Sequence, residues 1–464
     1  MGSYSEYKTI NLPWLTQIPT NWKLIRNKQF LQEKKIIVGN LSNQYTLLSL
    51  TLRGVIKRDL SEKKGKLPSS FDTYKIISPG DIVFCLFDMD ETPRTVGLSE
   101  YDGMLTGAYT VFQVHDINPQ FLYYYYLSLD NIKALKPLYT GLRKTIKIDT
   151  FLALKLPVPP RAEQDQIVRF LDWKVSEINR LIGIKKNQIN GYREYEKKVI
   201  NDKVLYGLQE APLRESGNHW VGKIPTNWKI IKLGKFCSFQ NGISESGNFF
   251  TSGTPFVGYS DVYKHLELPK YVKGVAKANE QQQEIFSVRK GDIFFTRTSE
   301  SIEEIGMAAV CKHTIKDAVF SGFLIRCRPR MPLINEDYMK YYLQIPAVRN
   351  HFSSMMNIVI RASLGQNLLK QMPVVVPPLK EQKEIAEFLD AMHERFLRLI
   401  TTNEEEISML EELRSTLISD VVTGKIDVRN IPVPAYEHVD DMVGKAMTKN
   451  QESLERRTDH GFYG

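Results

Sequence analysis

One long helical pattern occurs twice in this chain and limits its fold more than any other feature. The first copy runs from Pro159 to Gly207 and begins Pro-Pro-Arg-Ala-Glu-Gln, a proline stop followed by a polar helix start. At roughly 1.5 Å per residue, a single helix here would be about 65 Å long, so its apolar stripe needs a partner. Residues of that stripe recur every three or four positions: Leu171, Val175, Ile178, Ile182, Ile189, Tyr192 and Val199.

The second copy runs from Pro377 to Gly424 and matches the first without gaps. Glu163-Gln164, Ile167 and Phe170-Leu171-Asp172 recur 218 residues later as Glu381-Gln382, Ile385 and Phe388-Leu389-Asp390. The second stripe comprises Ile385, Leu389, Met392, Phe396, Leu399, Leu410, Leu413 and Leu417. Polar Asn403 interrupts it at the level of Lys185, which would help to set the register. The pattern predicts an antiparallel coiled coil; two unrelated core helices are the alternative, disfavoured by the gapless match.

Shorter motifs show that the segments before the helices are repeated as well. Ile18-Pro19-Thr20-Asn21-Trp22 recurs as Ile224-Pro225-Thr226-Asn227-Trp228, Gly80-Asp81-Ile82 as Gly291-Asp292-Ile293, and Ile117-Asn118 as Ile334-Asn335. Strand-like runs alternate with short helical ones: Asp81–Phe87, Tyr109–Val114 and Asp292–Thr296, against Gln120–Leu129 and Glu336–Ile345. The predicted fold class is α+β, with two tandem mixed α/β domains that are each followed by one long helix.

The repeat also predicts the domain boundaries. Residues 1–158 form the first domain, 159–208 the first long helix, 209–376 the second domain and 377–429 the second long helix. Residues 430–464 are polar and non-periodic, so we expect a poorly ordered tail.

Charge is distributed unevenly between these segments. The net charge is +6 for residues 2–159, +8 for residues 211–377 and −6 for residues 378–424. Positive charge therefore lies in the domains, which favours a polyanionic partner for them, while the second helix is acidic. Isolated cysteines argue against a disulfide framework, and no apolar run approaches the length of a membrane span. We expect a cytoplasmic protein that does not bind membranes.

Catalytic motifs are missing from the sequence. There is no phosphate-binding glycine loop of either common type, and the histidines and cysteines lack metal-ligand spacing, so no metal site is predicted. Asn118-Pro119-Gln120-Phe121 faintly resembles the Asn-Pro-Pro-Phe/Tyr loop of amino methyltransferases, but it lacks the second proline. We interpret it as a turn that caps the helix containing Tyr123–Tyr126.

Cationic segments are the candidates for DNA contact. Arg can bridge guanine O6 and N7, whereas Lys and Ser suit phosphates or base edges. The two main segments, Thr140–Lys147 and Ile360–Gln366, each contain a glycine that permits close backbone approach. The candidate residues are Arg143, Lys144 and Lys147 in the first segment, Arg361 and Ser363 in the second, and Lys63, Lys64, Lys66, Arg94 and Arg297 elsewhere.

With these motifs in place, the chain resembles the specificity subunit of a Type I restriction-modification system, the HsdS family. The resemblance covers roughly residues 10–429 and rests on the repeated Ile-Pro-x-x-Trp and Pro-Pro-x-x-Glu-Gln motifs and on the ending Val421–Arg429. It implies a chain without catalysis of its own, in which each domain is a target-recognition domain for one half of a bipartite, asymmetric DNA sequence.

The resemblance also implies partners and cofactors. Paired helices would hold the two domains apart and dock modification subunits, in two copies, with restriction subunits joining through them. S-adenosylmethionine, ATP and Mg are expected on those partners and none on this chain. The residues expected to serve the spacer and partner contacts are the repeated ones: Glu163, Gln164, Phe170, Asp172, Glu381, Gln382, Phe388 and Asp390.

Two other classes of function stay open at this stage. A free-standing nuclease or methyltransferase would require a catalytic motif or activity of the purified chain alone. A coiled-coil adaptor without a DNA role would show no salt-dependent DNA affinity, whereas the affinity of a specificity subunit should fall steeply with salt.

Overall fold

The chain forms two compact units, and each unit contains part of both long helices. The computed structural model describes residues 2–58, 70–245, 247–299, 305–354 and 362–440. Unit 1 comprises Met1–Asn187 and Asn403–Val443, and unit 2 comprises Gln188–Thr402 and Gly444–Gly464. This division cuts across the predicted succession of domain and helix, because each long helix contributes one end to each unit.

Unit 1 is built on an antiparallel four-stranded sheet in the order β4-β11-β8-β9. Its strands are β1 (Tyr7–Leu12), β2 (Leu15–Pro19), β3 (Lys23–Arg26), β4 (Leu31–Glu33), β5 (Leu48–Thr51), β6 (Gly54–Lys57), β7 (Lys75–Ile77), β8 (Ile82–Phe84), β9 (Val96–Leu98), β10 (Gly103–Leu105), β11 (Thr110–Val114) and β12 (Lys155–Val158). Its helices are α1 (Pro119–Asn131), α2 (Ile148–Ala153) and part of α3 (Arg161–Tyr206). Strand β12 pairs with β3 just before α3 begins.

Local sequence explains the start of α1. The Asn118 side chain accepts hydrogen bonds from the backbone amides of Gln120 and Phe121, and Pro119 occupies the first helical position. Both features are typical of helix N-termini. The tyrosine run of α1 then packs with Phe84, Phe112 and Phe151 in the core of unit 1, as the turn-and-helix interpretation requires.

Unit 2 repeats this architecture with additions. Its strands are β13 (Leu213–Glu215), β14 (Lys223–Pro225), β15 (Lys229–Lys232), β16 (Cys237–Asn241), β17 (Thr254–Val257), β18 (Gly274–Ala276), β19 (Ile293–Thr296), β20 (Thr298–Ser299), β21 (Ala308–Val310), β22 (Val319–Phe320), β23 (Leu324–Pro329), β24 (Ala362–Ser363) and β25 (Pro373–Val376). Its helices are α4 (Leu233–Phe236), α5 (Tyr259–Tyr263), α6 (Glu280–Ile285), α7 (Glu336–Tyr342), α8 (Pro346–Ser354), α9 (Gln366–Gln371) and part of α10 (Leu379–Val422).

The main sheet of unit 2 has the same topology as that of unit 1. Its order, β16-β23-β19-β21, corresponds to β4-β11-β8-β9, and β25 pairs with β15 as β12 pairs with β3. A second sheet, β18-β17-β22, contains a parallel pair between β17 and β22. The mixed α/β character predicted from the sequence is confirmed, and most predicted strands and helices lie within a few residues of the observed ones.

The two long helices occupy the predicted ranges, and each ends at a glycine. Gly207 and Gly424 have φ angles of 83° and 75°, the left-handed conformation of a helix C-cap. In unit 2, Gly207 lies against the indole of Trp228, and in unit 1, Gly424 lies against Trp22 and Pro19. A side chain would not fit at either position without movement of these neighbours.

Within unit 1 the first part of α3 contacts the last part of α10. Apolar residues of both helices share one core, including Ile178 and Ile182 from α3 and Leu417 and Val421 from α10. Polar contacts accompany them: Arg414 Nη1 donates to Asn179 Oδ1 at 2.7 Å, and Lys185 Nζ lies 2.6 Å from Glu406 Oε2.

Within unit 2 the last part of α3 contacts the first part of α10. Ile200 and Val204 share a core with Ile385 and Leu389. His393 Nδ1 lies 2.6 Å from Glu196 Oε1, and this hydrogen bond raises the pKa of His393.

Two residues of the predicted α10 stripe do not face a core. Leu399 and Leu413 are about half exposed. Next to Leu413, the side chain of Arg414 contacts α3 by its hydrogen bond to Asn179. The apolar stripe of α10 is therefore interrupted at more levels than Asn403 alone.

The start of the predicted tail lies along α3 in unit 1. Asn179 Nδ2 donates to the carbonyl oxygen of Val439 at 3.0 Å, and Gln166 Nε2 donates to that of Ile431 at 2.8 Å. For residues 430–440 the structure thus differs from the expected poor order, because polar side chains of α3 donate hydrogen bonds to backbone carbonyl oxygens of this segment. The remaining tail lies outside the described residues.

No helix among the described residues combines the length and the apolar character that a membrane span requires.

The C-cap glycines lead to a stability prediction. Gly424→Ala should lower the free energy of unfolding by about 2 kcal/mol, because a left-handed residue with a Cβ costs roughly 1–2 kcal/mol and that Cβ would lie 2.5 Å from Pro19 Cδ. Gly191, inside α3 with open space at its Cβ position, is the matched control. There alanine should add roughly 0.5–1 kcal/mol. Urea denaturation measures both, and equal stability of Gly424→Ala and wild type would contradict this account.

Candidate functional site

A buried carboxylate in the first turn of α3 joins the globular part of unit 1 to the helix. Glu163 Oε1 accepts hydrogen bonds from the Trp22 indole nitrogen and the Tyr4 hydroxyl, both at 2.7 Å, and Oε2 accepts one from Asn21 Nδ2 at 2.9 Å. Burial, together with the hydrogen bond to Glu163, raises the pKa of Tyr4. The helix N-terminus also favours the negative charge. We call this contact the joint of unit 1.

The next residue ties the starts of two helices together. Gln164 Oε1 accepts from the Asn118 backbone amide at 2.9 Å, and its Nε2 donates to the Pro159 carbonyl at 2.9 Å. Asn118 Nδ2 in turn donates to Asp165 Oδ1 at 2.8 Å. The residue that caps α1 is thereby fixed to the first turn of α3.

Unit 2 contains the same joint, made by the repeated residues. Trp228 Nε1 donates to Glu381 Oε2 at 2.8 Å, and Asn227 Nδ2 donates to Oε1 at 3.2 Å. Gln382 Oε1 accepts from the Asn335 backbone amide at 2.8 Å, and its Nε2 donates to the Pro377 carbonyl at 2.8 Å. The motifs that reveal the sequence repeat thus meet at one place in each unit.

A tyrosine–aspartate pair completes both joints, but its electrostatics differ. Asp172 accepts from Tyr124, and Asp390 accepts from Tyr341, each at 2.7 Å. Burial raises the pKa of Asp172. Burial acts in the same direction on Asp390, yet hydrogen bonds from Lys340 and Tyr341 outweigh it and lower the pKa. Lys340 Nζ, 2.6 Å from Asp390 Oδ1, therefore stabilises the negative charge of Asp390 in unit 2.

The repeated residues that were expected to serve the spacer and partner contacts lie at or near these joints. Glu163, Gln164, Phe170 and Gln382 are buried and engaged inside their own units, which places them in the joints rather than on an exposed partner surface. Phe388, at 42% exposure, is the apolar exception. The sequence did not identify Trp22 and Trp228 as partners of the glutamates, although their repetition in front of strands β3 and β15 was the available signal.

Two predicted DNA-contact residues lie together on an exposed turn of unit 1. Arg143 Nη2 lies 2.9 Å from Asp88 Oδ2, its guanidinium stacks over Phe87, and its side chain is still 71% exposed. Lys144 Nζ lies 3.0 Å from Asp90 Oδ2, and Lys147 is exposed just before α2. Positive charge is therefore held in place and remains accessible here.

The other candidates lie in different surroundings. Arg94 is only 16% exposed and binds Asp130 at 3.2 Å and Asn131 at 2.9 Å, so it stabilises unit 1 and is a poor candidate for DNA contact. Arg297 is half-buried, and its backbone bonds to Phe323 and Leu364. Ser363 lies in β24 opposite Thr298. Four candidates lie outside the described residues: Lys63, Lys64, Lys66 and Arg361.

The described residues contain no group of three or more His, Cys, Asp or Glu side chains placed to hold a metal ion. The four cysteines are buried free thiols, and burial raises the pKa of Cys311 to about 12.

The joints lead to a second stability prediction. Glu163→Ala should lower the free energy of unfolding by roughly 2–4 kcal/mol, because buried donors lose a charged acceptor. Glu381→Ala is the matched control and should cost less, because Glu381 is partly exposed and, within the described part of the chain, binds the same indole and amide donors without a tyrosine counterpart to Tyr4. Chemical denaturation of both variants measures the difference. An equal or larger loss for Glu381→Ala would contradict the proposed role of burial.

Comparisons with known proteins agree with this architecture. A family model described as the type I restriction modification DNA specificity domain matches residues 86–191 and 225–409, more than half of the chain. The chain is 24% identical over 287 residues to a putative type I restriction enzyme MjaX specificity subunit of Methanocaldococcus jannaschii, covering 60% of each protein. It is 25% identical over 245 residues to the type I restriction enzyme EcoKI specificity subunit of Escherichia coli, covering 52% of this chain and 51% of that one.

The match therefore spans between half and about 60% of the length of these curated relatives. One solved structure, described as the structural basis underlying complex assembly and conformational transition of the type I R-M system, covers 88% of this chain and 99% of its own. Its TM-score is 0.63 at 15% identity, so this similarity shows a shared fold. On the strength of the family match, together with the duplicated joint and sheet topology, the chain belongs to the type I restriction-modification DNA specificity family.

Proposed function

We propose that this chain is a non-catalytic DNA specificity subunit that reads a bipartite, asymmetric target. The duplicated joint carries the proposal, because the same Asn–Trp–Glu contact anchors both globular parts while the sequences around it differ. Identical anchoring with different surfaces suits two readers of two different half-sites. The family relationship supports the same function.

The distribution of charge supports double-stranded DNA as the ligand of the globular parts. Residues 2–159 and 211–377 carry net charges of +6 and +8, whereas residues 378–424 carry −6. DNA phosphates attract the two positively charged segments and repel residues 378–424, so the second helix is better suited to protein partners. Arg143 and Lys144 are the accessible cations from which base and phosphate contacts in unit 1 would come.

The long helices would act as an antiparallel coiled-coil spacer and docking surface. Contacts between α3 and α10 within each unit support such pairing, with Lys185–Glu406 and Glu196–His393 as its polar levels. Two modification subunits, one for each repeat, would dock there and methylate adenine with S-adenosylmethionine. Restriction subunits would join through them and supply ATP- and Mg-dependent cleavage, so this chain itself would bind no cofactor.

Exchange of one recognition surface tests the proposal. Residues 27–154 would be replaced by those of a relative that retains Asn118 and Tyr124, which leaves β3, β12 and the joint of unit 1 intact. After co-expression with the modification subunit, sequencing of the methylated genome should show a bipartite motif altered in one half only.

The mirrored exchange of residues 233–372, between β15 and β25, is the control and should alter the other half. Absence of new methylation with the unmodified chain would contradict the proposed function. A change in both halves after one exchange would contradict the assignment of one half-site to each globular part.

The spacer leads to a separate prediction. Inserting four residues after Lys185 and four after Asn403 together adds about one helical turn, about 6 Å, to both helices. The gap between half-sites should then lengthen by about two base pairs, at roughly 3.4 Å each. The same four residues placed after Glu210 in the exposed linker should leave the gap unchanged. An unchanged gap in the variant with lengthened helices would rule out a role for α3 and α10 in setting the distance between half-sites.

A further inference from the structure

An apolar side chain stands at the tip of the cationic turn in unit 1. Backbone hydrogen bonds of 3.0 Å join Thr140 and Thr145 in both directions and close a tight turn. Gly141 and Lys144 adopt left-handed φ angles of 68° and 45°, which fix the reversal of the chain. Leu142 lies between them and is fully exposed, at 103% of its reference area.

The base of this turn is anchored to the body of unit 1. The Arg143 carbonyl accepts from the Asp88 amide at 2.8 Å, and the Ile146 amide donates to the Leu86 carbonyl at 2.9 Å. Ile146 itself is buried in the core. Leu142 is therefore presented on a short, braced support: Arg143 and Ile146, which follow it, bond to the segment after β8, and Thr140, which precedes it, bonds to Thr145 across the turn.

A single exposed leucine is common on protein surfaces, so its exposure alone does not indicate a binding site. The setting is what distinguishes Leu142. Residues 133–147 contain five Lys or Arg and no Asp or Glu. Arg143 and Lys144 stay 71% and 44% exposed beside Asp88 and Asp90, so DNA phosphates can replace these carboxylates as their partners. A narrow turn then brings its tip to the base edges in the groove. In the major groove the apolar feature is the C5-methyl group of thymine.

The sequence repeat places the same pair of residue types in the second half. Leu142-Arg143 corresponds to Ile360-Arg361 at the offset of 218 that aligns the long helices. Three residues beyond each arginine comes an aliphatic residue, Ile146 or Leu364, and both are buried. Ile360 and Arg361 lie outside the described residues, so this correspondence is one of sequence.

We propose that Leu142 is a specificity-determining residue that contacts a thymine methyl group in the major groove of the half-site read by unit 1. Arg143, its neighbour, would contact the adjoining base or phosphate. This assignment rests on the proposed function, because it requires that unit 1 bind DNA. It adds an apolar base contact to a surface otherwise identified by its cations.

The test uses the full chain with its modification subunit and DNA duplexes that contain the target sequence, as identified by sequencing of the methylated genome. Leu142→Ala should weaken specific binding by about 5- to 50-fold, in keeping with the loss of most of a buried leucine side chain. Leu142→Met, which restores apolar volume, should bind nearly as wild type does. Ile132→Ala is the matched control. Ile132 is also an exposed aliphatic residue of unit 1, at 67%, but it lies next to Asn131, which bonds to Ser415 of α10. Its affinity should be unchanged.

Thymine-to-uracil substitution, which removes only the methyl group, identifies the contact. At one position of the unit 1 half-site it should weaken wild-type binding about fourfold, the effect of one buried methyl group. The same substitution should have no effect on Leu142→Ala. Thermal denaturation should show that Leu142→Ala folds normally, as a fully exposed position requires.

The outcomes separate the two proposals. If the wild-type complex shows no preference for the target, the proposed function fails. If it shows that preference but Leu142→Ala binds equally well, or no thymine position depends on Leu142, only the present inference fails. Enhanced 2-aminopurine fluorescence that depends on Leu142 without any uracil effect would mean insertion between bases, and it would overturn the methyl contact.

Discussion

A hydrogen-bonded carboxylate at the first turn of each long helix, buried in unit 1 and partly exposed in unit 2, holds the rest of each unit in place. A carboxylate is costly to remove from water unless donors replace the lost hydration. In unit 1 those donors are the indole of Trp22, the hydroxyl of Tyr4 and the amide of Asn21. Trp22 comes directly before β3, and β3 pairs with β12, the strand that leads into α3. The strand pair, the proline stop and the helix start therefore depend on one another.

The second joint retains the indole and amide donors but differs around them. Among the residues that the structure describes, no tyrosine bonds to Glu381 in the way that Tyr4 bonds to Glu163. Lys340 pairs with Asp390 in unit 2, whereas in unit 1 Tyr124 donates a hydrogen bond to Asp172. Each unit thus stabilises the same geometry with a different balance of burial and charge. Such tolerance allows the surrounding sequence to diverge, which is what two readers of different DNA half-sites require.

The residues that hold the joints and those that would contact DNA are separate sets. Glu163 and Gln164 are buried, whereas Arg143 and Leu142 lie on an exposed turn that is braced from the end of β8. A change in the turn therefore leaves the helix anchor intact. This separation makes half-site exchange between relatives a reasonable experiment, provided that the Asn–Trp–Glu contact is retained.

Periodicity and turn chemistry by themselves determined the long helices, their glycine ends, the capped start of α1 and the existence of two related halves, because these features depend on residues close together in the chain. Tertiary structure alone decided the environment of each functional candidate. Glu163 is a joint residue because Trp22, 141 positions earlier, lies against it, and Arg94 is largely buried because it pairs with Asp130. Likewise, Arg414 rather than Leu413 meets α3. Burial and ion pairing are set by contacts between distant segments, which a pattern of neighbouring residues does not encode.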